Sequence, residues 1–118
     1  MQGHGGLAGQ PTETPSYTGQ VLNLTARLPR SHHNQLKEEA KRRGLRAGEF
    51  YVLVVDAFMR GDLAQHPYLY AVTDDAVSVS VPAPSDFIDE VRARARERGV
   101  GANELIFTAV VQHLGGKL

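Results

Sequence analysis

Residues 21–28 alternate with period two: Leu22, Leu24, Ala26 and Leu28 fall on one side of an extended chain, and Asn23, Thr25 and Arg27 on the other. Successive side chains of a strand point to opposite faces, so this spells a half-buried β-strand, which Pro29 ends. The period then becomes helical. From Arg30 or Ser31 onward, Leu36 and Ala40 stand one turn apart, with Lys37, Glu38, Lys41 and Arg42 on the outside. Gly44 stands where a left-handed residue stops a helix. A second helix is expected from about Ala47 to Arg60, where Phe50, Leu53, Val54, Ala57 and Phe58 recur at three- and four-residue spacing before Gly61 closes the segment.

The same order returns 55 residues later. That offset pairs Pro29 with Pro84 and Gly44 with Gly99, and it also pairs Leu36 with Val91, Ala40 with Ala95 and Arg43 with Arg98. Further on it equates Ala47 with Ala102, Glu49 with Glu104, Phe50 with Leu105, Val55 with Val110 and Gly61 with Gly116. Residues 76–83 alternate again, with Val77, Val79, Val81 and Ala83 inward and Ser78, Ser80 and Pro82 outward. One ungapped register aligns both prolines and both glycines, so the chain is an internal repeat of strand-helix-helix.

Neither half suffices by itself, because one strand has nothing to pair with and three elements leave an apolar face open. Together the strands can pair antiparallel, and four helices can close over their Leu/Val face. The expected fold is therefore mainly α with a two-stranded antiparallel β-ribbon, the two units forming an intramolecular pseudo-dimer. The expected organisation is a disordered Gly/Pro/Thr-rich tail over 1–20, a first unit over 21–61, a linker over 62–75 and a second unit over 76–118. At about 3.3 Å per residue, the linker is long enough to cross so small a fold.

Composition changes this picture little, but charge placement matters. The absence of Cys removes disulfides and thiolate metal sites. No apolar run reaches the roughly 18 residues of a membrane span, and no signal peptide opens the chain, so the expectation is a cytoplasmic protein without membrane contact. Net charge is zero, yet residues 21–61 hold eight Lys/Arg against four Asp/Glu, while 62–75 are acidic. A basic half inside a neutral total suits a polyanionic partner, although a solvated basic face gives the same count.

The run Leu24-Thr25-Ala26-Arg27-Leu28-Pro29, the helix with Leu36-Lys37-Glu38-Glu39-Ala40, and then Arg43-Gly44-Leu45 before a second helix resemble the ribbon-helix-helix family of the Arc and MetJ repressors. The resemblance covers 21–61 well and 76–116 more loosely. The tandem arrangement is similar to that of relaxosome proteins of the TraY type. It implies sequence-specific binding of double-stranded DNA, with the ribbon in the major groove and possible self-association on DNA. Asn23, Thr25 and Arg27 take the base-reading positions, with Ser78 and Ser80 on the second strand. Each first-strand residue suits base reading, since Asn pairs bidentately with adenine and Arg with guanine, and Thr offers a hydroxyl and a methyl. The resemblance also implies phosphate binding at the start of each second helix, at Ala47, Gly48 and Glu49 beside Arg46, and at Ala102, Asn103 and Glu104. Pro82 departs from the pattern, having neither reach nor an N–H to donate.

Other chemistry finds little footing. Adjacent His32 and His33 point to different faces of a helix, which argues against a metal; His32 is expected near a phosphate and His33 at the core edge. Tyr51, Tyr68 and Tyr70 are expected to pack the linker on the core rather than stack on bases. Ile106, Phe107, Val110 and Val111 suggest apolar surface in excess of one core, suited to a partner or another copy. No catalytic triad, carboxylate pair or Gly-rich phosphate loop is present, so neither an enzyme nor a cofactor is expected. The leading expectation is a repressor or an accessory protein of plasmid or phage DNA processing. The alternatives are an antitoxin-like interaction module with DNA binding secondary, and a retained fold that no longer binds DNA.

Overall fold

A computed structural model describes residues 17–115. In chain order these form β1 (Val21–Pro29), α1 (Arg30–Arg42), α2 (Ala47–Gly61), a short 3₁₀ turn (Leu63–Gln65), β2 (Ala76–Pro84), α3 (Ser85–Glu97) and α4 (Ala102–His113). The fold is mainly helical with one two-stranded antiparallel sheet. The first three elements recur 55 residues on with no shift in their starts. Both strands end in a proline whose extended backbone (ψ 143° at Pro29, 145° at Pro84) turns directly into the next helix.

The first helix of each half stops by the same device. Gly44 and Gly99 take φ of +72° and +71°, a conformation that costs a residue with a Cβ dearly. The Leu45 amide reaches back to the Ala40 carbonyl at 2.9 Å, and Val100 to Ala95 at 3.0 Å, which satisfies carbonyls the helix end leaves open.

Within the ribbon, Val21 faces Pro84 and Pro29 faces Ala76, with Thr25 opposite Ser80 at the centre. The repeat offset equates those two central residues, so the ladder is centred on the repeat. Leu24, Ala26, Leu28, Val79, Val81 and Ala83 are buried beneath it. The second helices cross over: α2 packs on β2 and α4 on β1, and α2 and α4 pack on each other. Phe50–Asp56 and Leu105–Val111 are buried in unbroken runs.

Several expectations need correction. Residues 1–16 of the tail expected over 1–20, and the last residues of the second unit, 116–118 with Gly116, lie outside the described residues. Residues 17–20, assigned to the tail by composition, are held against the fold. The Tyr17 hydroxyl donates to Asp56, its ring meets Phe87 edge-on at 5.2 Å, and the Ser85 and Asp86 amides donate to the Gln20 and Thr18 carbonyls. Those carbonyls satisfy first-turn N–H groups of α3 that no intrahelical partner reaches. Ile106, Phe107, Val110 and Val111 are buried and offer no spare surface; the Tyr70 ring of the linker meets Phe107 at 6.5 Å. Tyr51 belongs to the core and Tyr70 is half-buried, but Tyr68 is 80% exposed.

Among the described residues one charged tie joins the halves at their rim. Glu39 of α1 accepts from His113 of α4 at 2.9 Å and from Arg43 at 2.9 Å; burial alone would raise its carboxyl, but these two partners hold it below its ordinary range. Burial, aided by Lys37 and Arg30, pushes the His33 imidazole down; its Nδ1 lies 2.8 Å from the Tyr51 hydroxyl. An unfolded chain protonates this histidine near the ordinary value of 6.5, the folded chain only at lower pH. Between the two the unfolded state binds more protons, so acid favours unfolding. Thermal melts should therefore show stability falling as pH drops below about 6.5, and His33→Gln should flatten that part of the curve. Parallel curves for the two proteins would contradict the assignment.

Candidate nucleic-acid interface

Pleating sorts the ribbon into two faces, and burying Leu24, Ala26 and Leu28 turns Asn23, Thr25 and Arg27 outward. The same alternation turns out Ser78, Ser80 and Pro82, and all six are exposed. Asn23 lies opposite Pro82, Thr25 opposite Ser80 and Arg27 opposite Ser78. With strands about 4.8 Å apart and alternate residues about 6.8 Å apart, they form a plate two side chains wide and roughly 14 Å long. The plate mixes an amide, three hydroxyls and one guanidinium. Arg27 pairs with no carboxylate among the described residues; its Nη2 donates to the Ala76 carbonyl at 3.2 Å, so it lies across the ribbon end with further donors free.

The second-helix starts flank this plate. Arg46 and Gly101, both extended, precede α2 and α4. Glu49 accepts from the Arg46 backbone N–H at 2.9 Å, leaving the Ala47, Gly48 and Glu49 amides at the open turn. Arg46 itself is exposed, whereas Ala102, Asn103 and Glu104 are half-buried. The Asn103 side-chain amide oxygen (Oδ1) accepts the Arg27 backbone N–H, which clamps the start of α4 to β1. At the equivalent junction the partners are Gly48 and Pro82. A Cβ on Gly48 would stand 3.0 Å from both Pro82 Cδ and the Pro82 carbonyl oxygen.

These two junctions are related by the 55-residue offset, and each is consistent within itself. Where β1 has an N–H at Arg27, α4 supplies an acceptor. Where β2 has a proline ring and no N–H, α2 supplies a residue without a side chain. Sequence reasoning treated Gly48 and Asn103 only as anion binders and Pro82 only as a poor reader. Lining up Arg27 with Pro82 and Gly48 with Asn103 was the signal that would have found the clamps.

His32 is not near the interface chemistry expected of it. It is buried edge-on to Phe107 at 5.9 Å, and its Nε2 has no hydrogen-bond partner among the described residues. His33 sits at the core edge. Among the described residues no cluster of His, Cys, Asp or Glu is placed to hold a metal ion, and no helix is long and apolar enough to cross a membrane.

Compared with known proteins, the chain matches no family model, no curated protein and no solved structure.

The clamp makes a stability prediction. Gly48→Ala should destabilise the fold by about 1–3 kcal/mol, because ring and carbonyl crowd the new methyl. Pro82→Ala in the same chain should recover part of that loss, since it removes Cδ but not the carbonyl. Denaturant titrations of the two single variants and the double variant measure the coupling. Strictly additive losses would refute the contact.

Proposed function

We propose that this chain is a sequence-specific binder of double-stranded DNA: two ribbon-helix-helix units folded into one pseudo-dimer whose β-ribbon enters the major groove. The observation that carries this reading is the outward plate of Asn23, Thr25, Arg27, Ser78 and Ser80 with a second-helix start at each end. A two-stranded ribbon fits the major groove, where each base pair presents its own donor and acceptor pattern. Phosphates would then meet the open N–H groups of Ala47, Gly48 and Glu49 with Arg46, and those of Ala102 and Asn103. Such a protein acts as a repressor or as an accessory factor in plasmid or phage DNA processing.

The plate is chemically lopsided. Strand β1 carries the long, bidentate groups, and β2 carries two short hydroxyls and a proline. A site for one chain is therefore non-palindromic, with most of its information under β1. A palindrome or direct repeat would report two chains side by side.

Binding titrations with specific and scrambled DNA test this. Arg27→Ala should cost roughly 1–3 kcal/mol on the preferred site and relax its specificity, whereas Ser78→Ala and Ser80→Ala should each cost about 1 kcal/mol or less. Log K should fall with log[salt] with a slope on the order of −3 to −6. A flat salt response would count against DNA as the ligand; equal losses from both strands would sink β1 as the reader.

A further inference from the structure

Arg27 is held at both of its ends. Its backbone N–H donates to Asn103 Oδ1 of α4, and its Nη2 donates to the Ala76 carbonyl at the start of β2. Ala76 is itself fixed, because its amide donates to the Thr73 carbonyl at 3.2 Å in the turn before β2. Among the described residues no side-chain hydrogen bond fixes the other outward groups, those of Asn23, Thr25, Ser78 and Ser80, in this way.

The repeat shows that this tie is not a requirement of packing. At the junction related by the 55-residue offset, Pro82 has no N–H and Gly48 has no side chain. Helix α2 nevertheless packs on β2 as α4 packs on β1. A second helix therefore seats on its strand without such a bond, and the Asn103 side chain does something more specific, which is to hold Arg27. Asn103 is also the second residue of α4, where its own backbone N–H has no intrahelical partner. One residue thus joins the open turn of α4 to the backbone of the residue that carries the guanidinium.

We propose that Asn103 is a positioning residue for base reading: it fixes Arg27 relative to the start of α4, so that the guanidinium meets a guanine edge at a set offset from the phosphate on that turn. This inference rests on the DNA-binding reading. An arginine fork bonds the O6 and N7 of guanine bidentately, a geometry that tolerates little misplacement. Arginine is among the side chains with most rotamer freedom to lose. Held beforehand at its backbone and at Nη2, Arg27 loses less of it on binding.

The first arm of the test uses the full chain without DNA. The Arg27 amide should exchange with solvent roughly five-fold more slowly than in Asn103→Ala, the size of one net hydrogen bond. Nuclear relaxation of Arg27 Nε should show a looser side chain in Asn103→Ala. Asn103→Asp should restore its order, since the carboxylate supplies the same acceptor and suits the first turn of a helix. Equal exchange, or Nε order that ignores position 103, would overturn the proposal.

The second arm reads the ratio of affinities for the preferred site and for scrambled DNA. Asn103→Ala should lower this ratio roughly three- to ten-fold, as when one long side chain must be ordered on binding, and Asn103→Asp should restore it. In an Arg27→Ala background, Asn103→Ala should change the ratio no further. A residue that served only stability would weaken both DNAs alike; an unchanged ratio, or one that still falls without Arg27, would overturn the proposal. Failure to bind any DNA, with Arg27 ordered by Asn103 in the first arm, would instead sink the functional reading.

Discussion

Each half of the chain supplies one strand, and a strand's backbone N–H and C=O groups need partners along its edge. The ladder between β1 and β2 provides them, and the rest of the molecule is arranged around it. A two-stranded ribbon is marginal in water by itself. Here its inner face, from Leu24 to Leu28 and from Val79 to Ala83, rests on helices from both halves. Because α2 lies on β2 and α4 on β1, separating the units would break the ladder, both cross-packed contacts and the α2–α4 seam together. Cooperativity follows from that interlocking.

Within this frame the halves differ in matched pairs. The Arg27–Asn103 clamp has its counterpart in Pro82 and Gly48, where a missing donor meets a missing side chain. The segment before β1 seals the start of α3, whereas the segment before β2 turns on itself, with the Ala76 amide bonded to the Thr73 carbonyl. Carrying both halves in one chain is what permits this: a true homodimer applies every substitution twice, but a tandem repeat applies it once. A ribbon with dissimilar strands is the consequence.

Part of the charge holds the fold. Asp56, nearly buried, is met by Arg60 at 2.9 Å and by the Tyr17 hydroxyl, whose proton burial and Asp56 together hold tightly. Glu39 gathers Arg43 and His113, and Arg98 donates to the Leu63 and His66 carbonyls of the linker. Counting basic residues along 21–61 therefore overstates what is free to meet an anion. Arg27 and Arg46 keep their charge at the ribbon and its flank.

Periodicity made the elements and their faces legible in the sequence, because alternation and helical spacing are local properties that survive any tertiary arrangement. The repeat offset placed the strand and helix starts, and the need of two lone strands for a partner implied their pairing. The outward positions of Asn23, Thr25, Arg27, Ser78 and Ser80 followed from the pleat alone. Contacts between residues distant in sequence were decided only by the tertiary structure. Composition could not show that Tyr17 would reach Asp56, or that Tyr70 of the linker would reach Thr108 of α4. Nor could a histidine pair reveal which ring turns inward: His32 is buried against Phe107, a residue 75 positions away, and only packing brings them together.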